Sequence, residues 1–357
     1  MNIAPWITER IIYLTIHGSR AYGTSRPGSD VDHRGIAVPP ARYLHGYLNH
    51  FESSQRHVDG IDEVIFDVRK FVKLAADCNP NALEILFVDP SDHLKVRPAA
   101  EALLAGRDIF LSKKARHTFS GYAMSQLGRI QSHRGWLLNP PKAPPTRAEF
   151  GLPERTVVPA DQLAAAESLI RKQVESWDVD LDPLDDAAKI AVRDRIAAAL
   201  ASVSMASVED QSRAAGRVLG FSDNFLELLD RERHYAAAMR RWTQYRQWVE
   251  NRNLDRAALE AQYGYDTKHA MHLVRLMRMG SEILATGKVL VRRPDADELL
   301  AIRAGAWSYE RLMEWAHLAD DELTAAYVES KLPHHPDRTA IDALCVSVIE
   351  NVLEFGV

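Results

Sequence analysis

The feature that most constrains the fold is a strand–glycine–strand run near the N-terminus. Residues 11–16 form an apolar, β-branched stretch suited to a buried strand. A Gly/Ser/Pro-rich segment from His17 to Ser29 follows, and 30–38 then alternates in strand fashion up to Pro39-Pro40. Residues 62–66 read as a third short strand. Asp67 is placed to cap a helix over 68–76, which Asn79-Pro80 stops. Residues 81–88 are apolar apart from Glu84, a carboxylate expected to be the buried partner of an arginine.

After about Ser112 the pattern changes to long segments with helical spacing: 113–138, 160–176, 185–204, 225–251, 267–285 and 309–330. Pro140 to Pro153 and the acidic 178–186 read as connectors. The expected class is α+β. A small mixed-sheet domain over 1–110 precedes a larger, mainly helical domain over 111–357. An apolar fraction of 46% is enough for a sizeable core, and no apolar stretch approaches the ~20 residues a membrane helix needs. Residues 1–10 lack the charged-then-apolar pattern of a signal peptide, and Cys78 and Cys345 make no disulfide framework. A cytoplasmic setting is expected. The net charge of −5 argues against a chain coated in nucleic acid but leaves room for a local basic groove.

The chemistry concentrates in HGSRAYGTSRPGSDVD, residues 17–32. Gly18 permits close backbone approach, and Ser19 at a helix start leaves N–H groups facing phosphate oxygens. Asp30 and Asp32 sit two apart on a strand, so both carboxylates share a face. Such a pair repels unless a cation lies between them, and magnesium, which binds carboxylates together with substrate phosphates, is the natural cation. A phosphate cradle beside a carboxylate pair is the equipment of two-metal nucleotidyl transfer.

The run resembles the signature of DNA polymerase β-like nucleotidyltransferases, an apolar residue followed by Gly-Ser, a spacer and Asp-x-Asp. The longer form HGSRAYGTSRPGSDVDHRG resembles a branch of predicted nucleotidyltransferases associated with RNA repair. So do DEVIFDVRKFVKLAADCNPNALEILF at 62–87, FSGYAMSQLGRI at 119–130 and DTKHAMHLVRLMRMG at 266–280. The resemblance implies transfer of an NMP from an NTP, ATP among them, to an acceptor hydroxyl. It also implies two Mg²⁺ ions (Mn²⁺ as substitute) on Asp30 and Asp32, and an RNA or tRNA end as acceptor. Nucleotidylation of a protein or small molecule, or non-catalytic RNA or nucleotide binding, are the rival readings.

The superfamily carries a third carboxylate on a neighbouring strand. Asp62, Glu63 and Asp67 are the candidates. Asp62 is preferred, because the branch has an Asp nine residues before the position of Phe71, and Asp67 suits a cap. Glu63 falls on the opposite face from Asp62 in a regular strand. Arg34 is expected either to bind a nucleotide phosphate or to pair with a nearby Asp, and His17 to be structural. Lys268, His272 and Arg275 share a helix face that could bind phosphates or pack against an acidic face, and the resemblance favours nucleotide phosphates. Lys113, Arg116, Arg129 and His133 would line a basic groove or form a solvated face. His269 and His272 have the wrong spacing and lack a carboxylate companion for zinc, so no metal is expected there.

Overall fold

The computed structural model describes residues 5–58, 60–175, 208–252 and 254–356. The expected helix at 185–204 and the acidic connector at 178–186 lie outside these residues. The chain divides into two compact units, one of residues 1–138 with 253–357, the other of residues 139–252.

In the first unit, β1 (Ile11–His17) leads through the short α2 (Gly18–Tyr22), which follows α1 (Trp6–Glu9), into β2 (Val31–Ala37). After α3 (Ala41–Leu44) come β3 (Ser53–Val58), β4 (Ile61–Asp67), α4 (Val68–Ala76), α5 (Pro80–Phe87), β5 (His93–Val96), α6 (Pro98–Ala105) and α7 (Ala115–Leu138). The five strands form one sheet in the order β3-β4-β2-β1-β5. β2 runs parallel to β4, and the other pairings are antiparallel. The architecture is α+β, with the small mixed sheet near the N-terminus and helices dominating thereafter.

Local chemistry explains the boundaries. Asp67 accepts hydrogen bonds from the Arg69 and Lys70 amides and so caps α4, as its position foretold. Asn79 caps α5 in the same way, with Pro80 in the first turn. The strands absent from the sequence reading are β3 and β5. Both lie at sheet edges, and the polar β3, SSQRHV, has no apolar alternation to betray it.

The second unit contains α8 (Ala160–Glu175), α9 (Val208–Val218) and α10 (Asp223–Glu250). Ala166, Ile170, Ala215, Leu226 and Leu229 form its core. The chain then returns to the first unit with α11 (Leu254–Tyr263), α12 (Thr267–Thr286), α13 (Ala296–Arg303), α14 (Tyr309–Glu329) and α15 (Arg338–Phe355). One continuous core joins Tyr13 and Ile36 of the sheet, Phe71 of α4, Leu83 of α5, Phe119 of α7, Met277 of α12, Leu323 of α14 and Val352 of α15. Position 110, expected as a domain boundary, therefore lies inside this unit: Phe110 itself is fully buried in the shared core. Local periodicity cannot reveal that distant helices return to complete the core of a sheet.

Candidate active site

β2 and β4 run side by side in register, with Asp32 opposite Asp62 and His33 opposite Glu63. In-register residues of neighbouring strands share a face, so Asp32 and Asp62 meet on the same side of the sheet. Ile36 on that side joins the main helical core, whereas Ile65, which alternates with Glu63 on the other face, packs with Ile7, Ile11 and Ala37. Glu63 is buried there and paired with Arg56 at 2.6 Å. With Asp67 capping a helix and Glu63 on the far side, Asp62 is the candidate that meets Asp32.

Arg34 Nη2 donates to Asp32 Oδ1 and to Asp62 Oδ2, each at 3.2 Å. Its Nη1 donates to the His33 and Asp62 carbonyl oxygens at 2.8 and 2.7 Å. Of the two roles expected for Arg34, pairing with aspartate is the one observed. The guanidinium is engaged by these acceptors and fixes the spacing of the carboxylates, so it is not presented as a phosphate ligand. Gln55 Nε2 of β3 donates to Asp62 Oδ1 at 3.2 Å. This contact comes from the edge strand that the sequence pattern did not disclose.

Gly18 begins α2 directly beside Asp32. Its φ is +68°, and a Cβ built there would stand 2.2 Å from Asp32 Oδ2. Glycine is required twice over, by the left-handed backbone and by the space the carboxylate occupies. Ser19 follows it, and its carbonyl accepts the Thr24 amide at 2.8 Å, closing the turn. The remaining spacer is ordered by the Arg26 amide donating to Ser29 Oγ at 2.9 Å. Asp30 stands exposed just ahead of β2.

The face of α12 that carries Lys268, His272 and Arg275 divides into different roles. Lys268 is half-buried near enough to Asp30 to feel its charge. Burial, then Arg256 and Arg303, lower its ammonium pKa, while Asp30 and Asp266 oppose the shift. Burial, then Arg26 and Arg256, lower Arg303 likewise. Among the described residues no carboxylate forms an ion pair with Lys268, and Arg256 and Arg303 lie near enough to act on its charge. Arg26, Arg256 and Arg303 were not anticipated, since nothing in the local sequence ties them to one another.

Arg275 corrects the sequence reading. It is buried, bonded through Nη1 to Glu84, and its guanidinium lies 3.9 Å from the Tyr22 ring centroid. It is the arginine partner expected for Glu84, not a nucleotide ligand. His272 is not a cationic ligand either: burial, then Arg275 and Lys268, push its imidazole well below its ordinary value and keep it neutral. His17 lies 3.4 Å from Glu84 and is structural, as expected. The basic stretch at and just before the start of α7 is partly spoken for. Lys113 lies over Tyr327, Lys114 pairs with Asp77 at 2.6 Å, and Arg116 pairs with Asp320 at 3.0 Å.

The carboxylate set suits magnesium by its donor chemistry. It offers hard oxygens on solvent-reachable strand ends, with the Asp32 carboxylate seated against Gly18. No helix among the described residues is long and apolar enough to cross a membrane. An uncharacterized 38.9 kDa protein of enterobacteria phage T4, from the nrdC-mobD intergenic region, is 42% identical over 81 residues. That match covers 20% of this chain and 24% of the phage protein, so the chain spans only about a quarter of that relative. No solved structure matches. Residues 2–135, which contain the whole sheet and every carboxylate of the site, match the model of the RNA repair pathway DNA polymerase beta family.

Proposed function

We propose that the protein is a Mg²⁺-dependent nucleotidyltransferase that moves a nucleoside monophosphate from an NTP to the hydroxyl of an RNA end. The observation that carries the reading is the meeting of Asp32 and Asp62 across β2 and β4, with Gly18 seated against Asp32. Asp30 and Asp32 would hold Mg²⁺, which when bound supplies charge neutralisation at the transferring phosphate. Lys268, with Arg303 near it, and the Gly18-Ser19 turn would hold the triphosphate tail. Asp62, held by Arg34 and Gln55, would accept the proton of the attacking hydroxyl. The acceptor oxygen bonds to the α-phosphorus as the bond to the β-phosphate oxygen breaks. Pyrophosphate leaves on the side of the cations.

The RNA acceptor rests on the family description, and one observation favours a second reading. The internal pairing of Lys113, Lys114 and Arg116 removes part of the basic surface expected to grip RNA. A protein or small-molecule acceptor is that alternative. Incubation with each labelled NTP, Mg²⁺ and total RNA, resolved on a gel, decides between them. Label on RNA supports the first reading and label on protein the second. Absence of label on any acceptor, with no pyrophosphate released, refutes the transferase assignment.

A further inference from the structure

A group of metal-ligating side chains lies away from Asp30 and Asp32, at the start of α12. One ligand atom each from His133, Asp266 and His269 lies within 4.8 Å of the others. The residues come from two places in the chain. His133 is on α7, Asp266 caps α12 and His269 lies in its first turn. Residue spacing alone therefore could not assemble them.

The two oxygens of Asp266 have different duties. Oδ1 accepts the His269 amide at 3.0 Å and caps the helix. Oδ2 is buried, in a residue only 2% exposed, and among the described residues no donor is at hydrogen-bonding geometry to it. It faces His269 Nε2 at 3.5 Å. Nδ1 of the same ring lies 2.7 Å from Gln126 Oε1, so Nδ1–H donates to that oxygen. That tautomer leaves a lone pair on Nε2. Two lone-pair atoms thus face each other in a buried place, and the cation now beside them is the Arg256 guanidinium, whose Nη1 lies 3.4 Å from Nε2; a metal ion would take its place. A buried carboxylate, Glu260 of α11, adds Oε1 at 3.5 Å from His133 Nδ1. The 3.5 Å between Asp266 Oδ2 and His269 Nε2 is close to the ~3.4 Å ligand–ligand edge of a tetrahedral zinc site with bonds of ~2.1 Å, and His133 offers an atom within 4.8 Å of both.

We propose that His133, Asp266 and His269 bind a divalent transition-metal ion of the zinc class, with Glu260 beside the His133 ring. The ion clasps α7 to the first turn of α12, the turn that presents Lys268. Imidazole nitrogen selects zinc-like ions over magnesium, so ligand chemistry separates this site from the all-oxygen pair at Asp30 and Asp32. The Asp266 carboxylate and the neighbouring Glu260 offset the divalent charge. Arg256 Nη1 stands at the rim, 3.4 Å from His269 Nε2 and 3.8 Å from Asp266 Oδ2. Both contacts are longer than a charge-assisted bond, and the Arg256 side chain is 38% exposed and can turn outward. The proposal stands independently of the transferase reading.

The test uses the full chain, stripped with a chelator, carrying D30N and D32N to remove the other carboxylate pair. Co²⁺ is titrated first, then displaced with Zn²⁺ or Mg²⁺. The expected result is one Co²⁺ per chain with the visible absorption of a low-coordinate site, displaced by Zn²⁺ but not by Mg²⁺. X-ray absorption of the Zn²⁺ form should show two imidazoles with oxygen donors. His133→Ala and His269→Ala should each weaken Co²⁺ binding at least tenfold, and Arg256→Gln should strengthen it. No Co²⁺ binding with both histidines intact, a shell without imidazole, or affinity unchanged in folded His269→Ala overturns the proposal. The first two measurements need no histidine variant, so misfolding of a variant does not shield the idea.

Discussion

Removing either partner of the Glu84–Arg275 pair should destabilise the first unit by several kcal/mol. Glu84 is fully buried and receives Arg275, the Tyr22 hydroxyl at 2.5 Å and, in its neighbourhood, His17 at 3.4 Å. Burial raises the carboxyl pKa. Arg275, His17 and Tyr22 together outweigh that and hold it at about 2, against an ordinary 4.5. At 1.36 kcal/mol per pKa unit this difference is worth ~3 kcal/mol to the ionised form. Breaking a buried pair by truncating one partner costs ~3–5 kcal/mol, so the two routes agree. Glu84→Ala and Arg275→Ala should each lower stability by ~3–5 kcal/mol in urea denaturation followed by circular dichroism. The double variant Glu84→Leu/Arg275→Met should recover much of the loss, since it strands no charge. The pH sign is fixed by the direction of the shift. A depressed carboxyl contributes fully above the unfolded value near 4.5 and is lost as pH falls towards 2. Wild type should therefore lose stability across that window, and the double variant should lose less. Single variants within ~1 kcal/mol of wild type, or an acid profile identical in wild type and double variant, refute the reasoning.

Other outcomes test the site itself. Asp30→Ala and Asp32→Ala should stay folded by circular dichroism and lose at least ~10²-fold in nucleotidyl transfer. Asp62→Asn should abolish turnover, whereas Glu63→Gln should act chiefly on stability through the Arg56 pair; turnover lost only in the Glu63 variant would reverse the assignment. Gly18→Ala, by pushing on Asp32 and straining a φ of +68°, should cut turnover by about 10²-fold with the fold retained in a thermal melt. Lys268→Gln should raise the KM for NTP by ~10-fold or more with a smaller effect on kcat, whereas Arg275→Gln should show its effect in stability.

Much of the N-terminal part was legible because its signals are local. The β-branched run, the glycine turn and the alternation after Asp30 each lie within a few residues, and strand period puts Asp62 and Glu63 on opposite faces, although the preference for Asp62 came from the resemblance. The cap of α4 was legible for the same reason, since Asp67 bonds amides two and three residues ahead. Even Glu84 could be read as half of a buried pair, because an uncompensated carboxylate in an apolar run is costly. Its partner could not be named: Arg275 lies 191 residues away, and helix periodicity shows only that it shares a face with Lys268. Tertiary packing turned one end of that face towards Asp30 and sank the other beneath Tyr22. The same holds for His133, Asp266 and His269, a group that exists only because α7 and α12 pack together. Sequence determines what its neighbours along the chain can do, through backbone sterics and short-range hydrogen bonds. Which distant charge answers a buried one is decided by the fold, because that choice depends on the closing of loops hundreds of residues long.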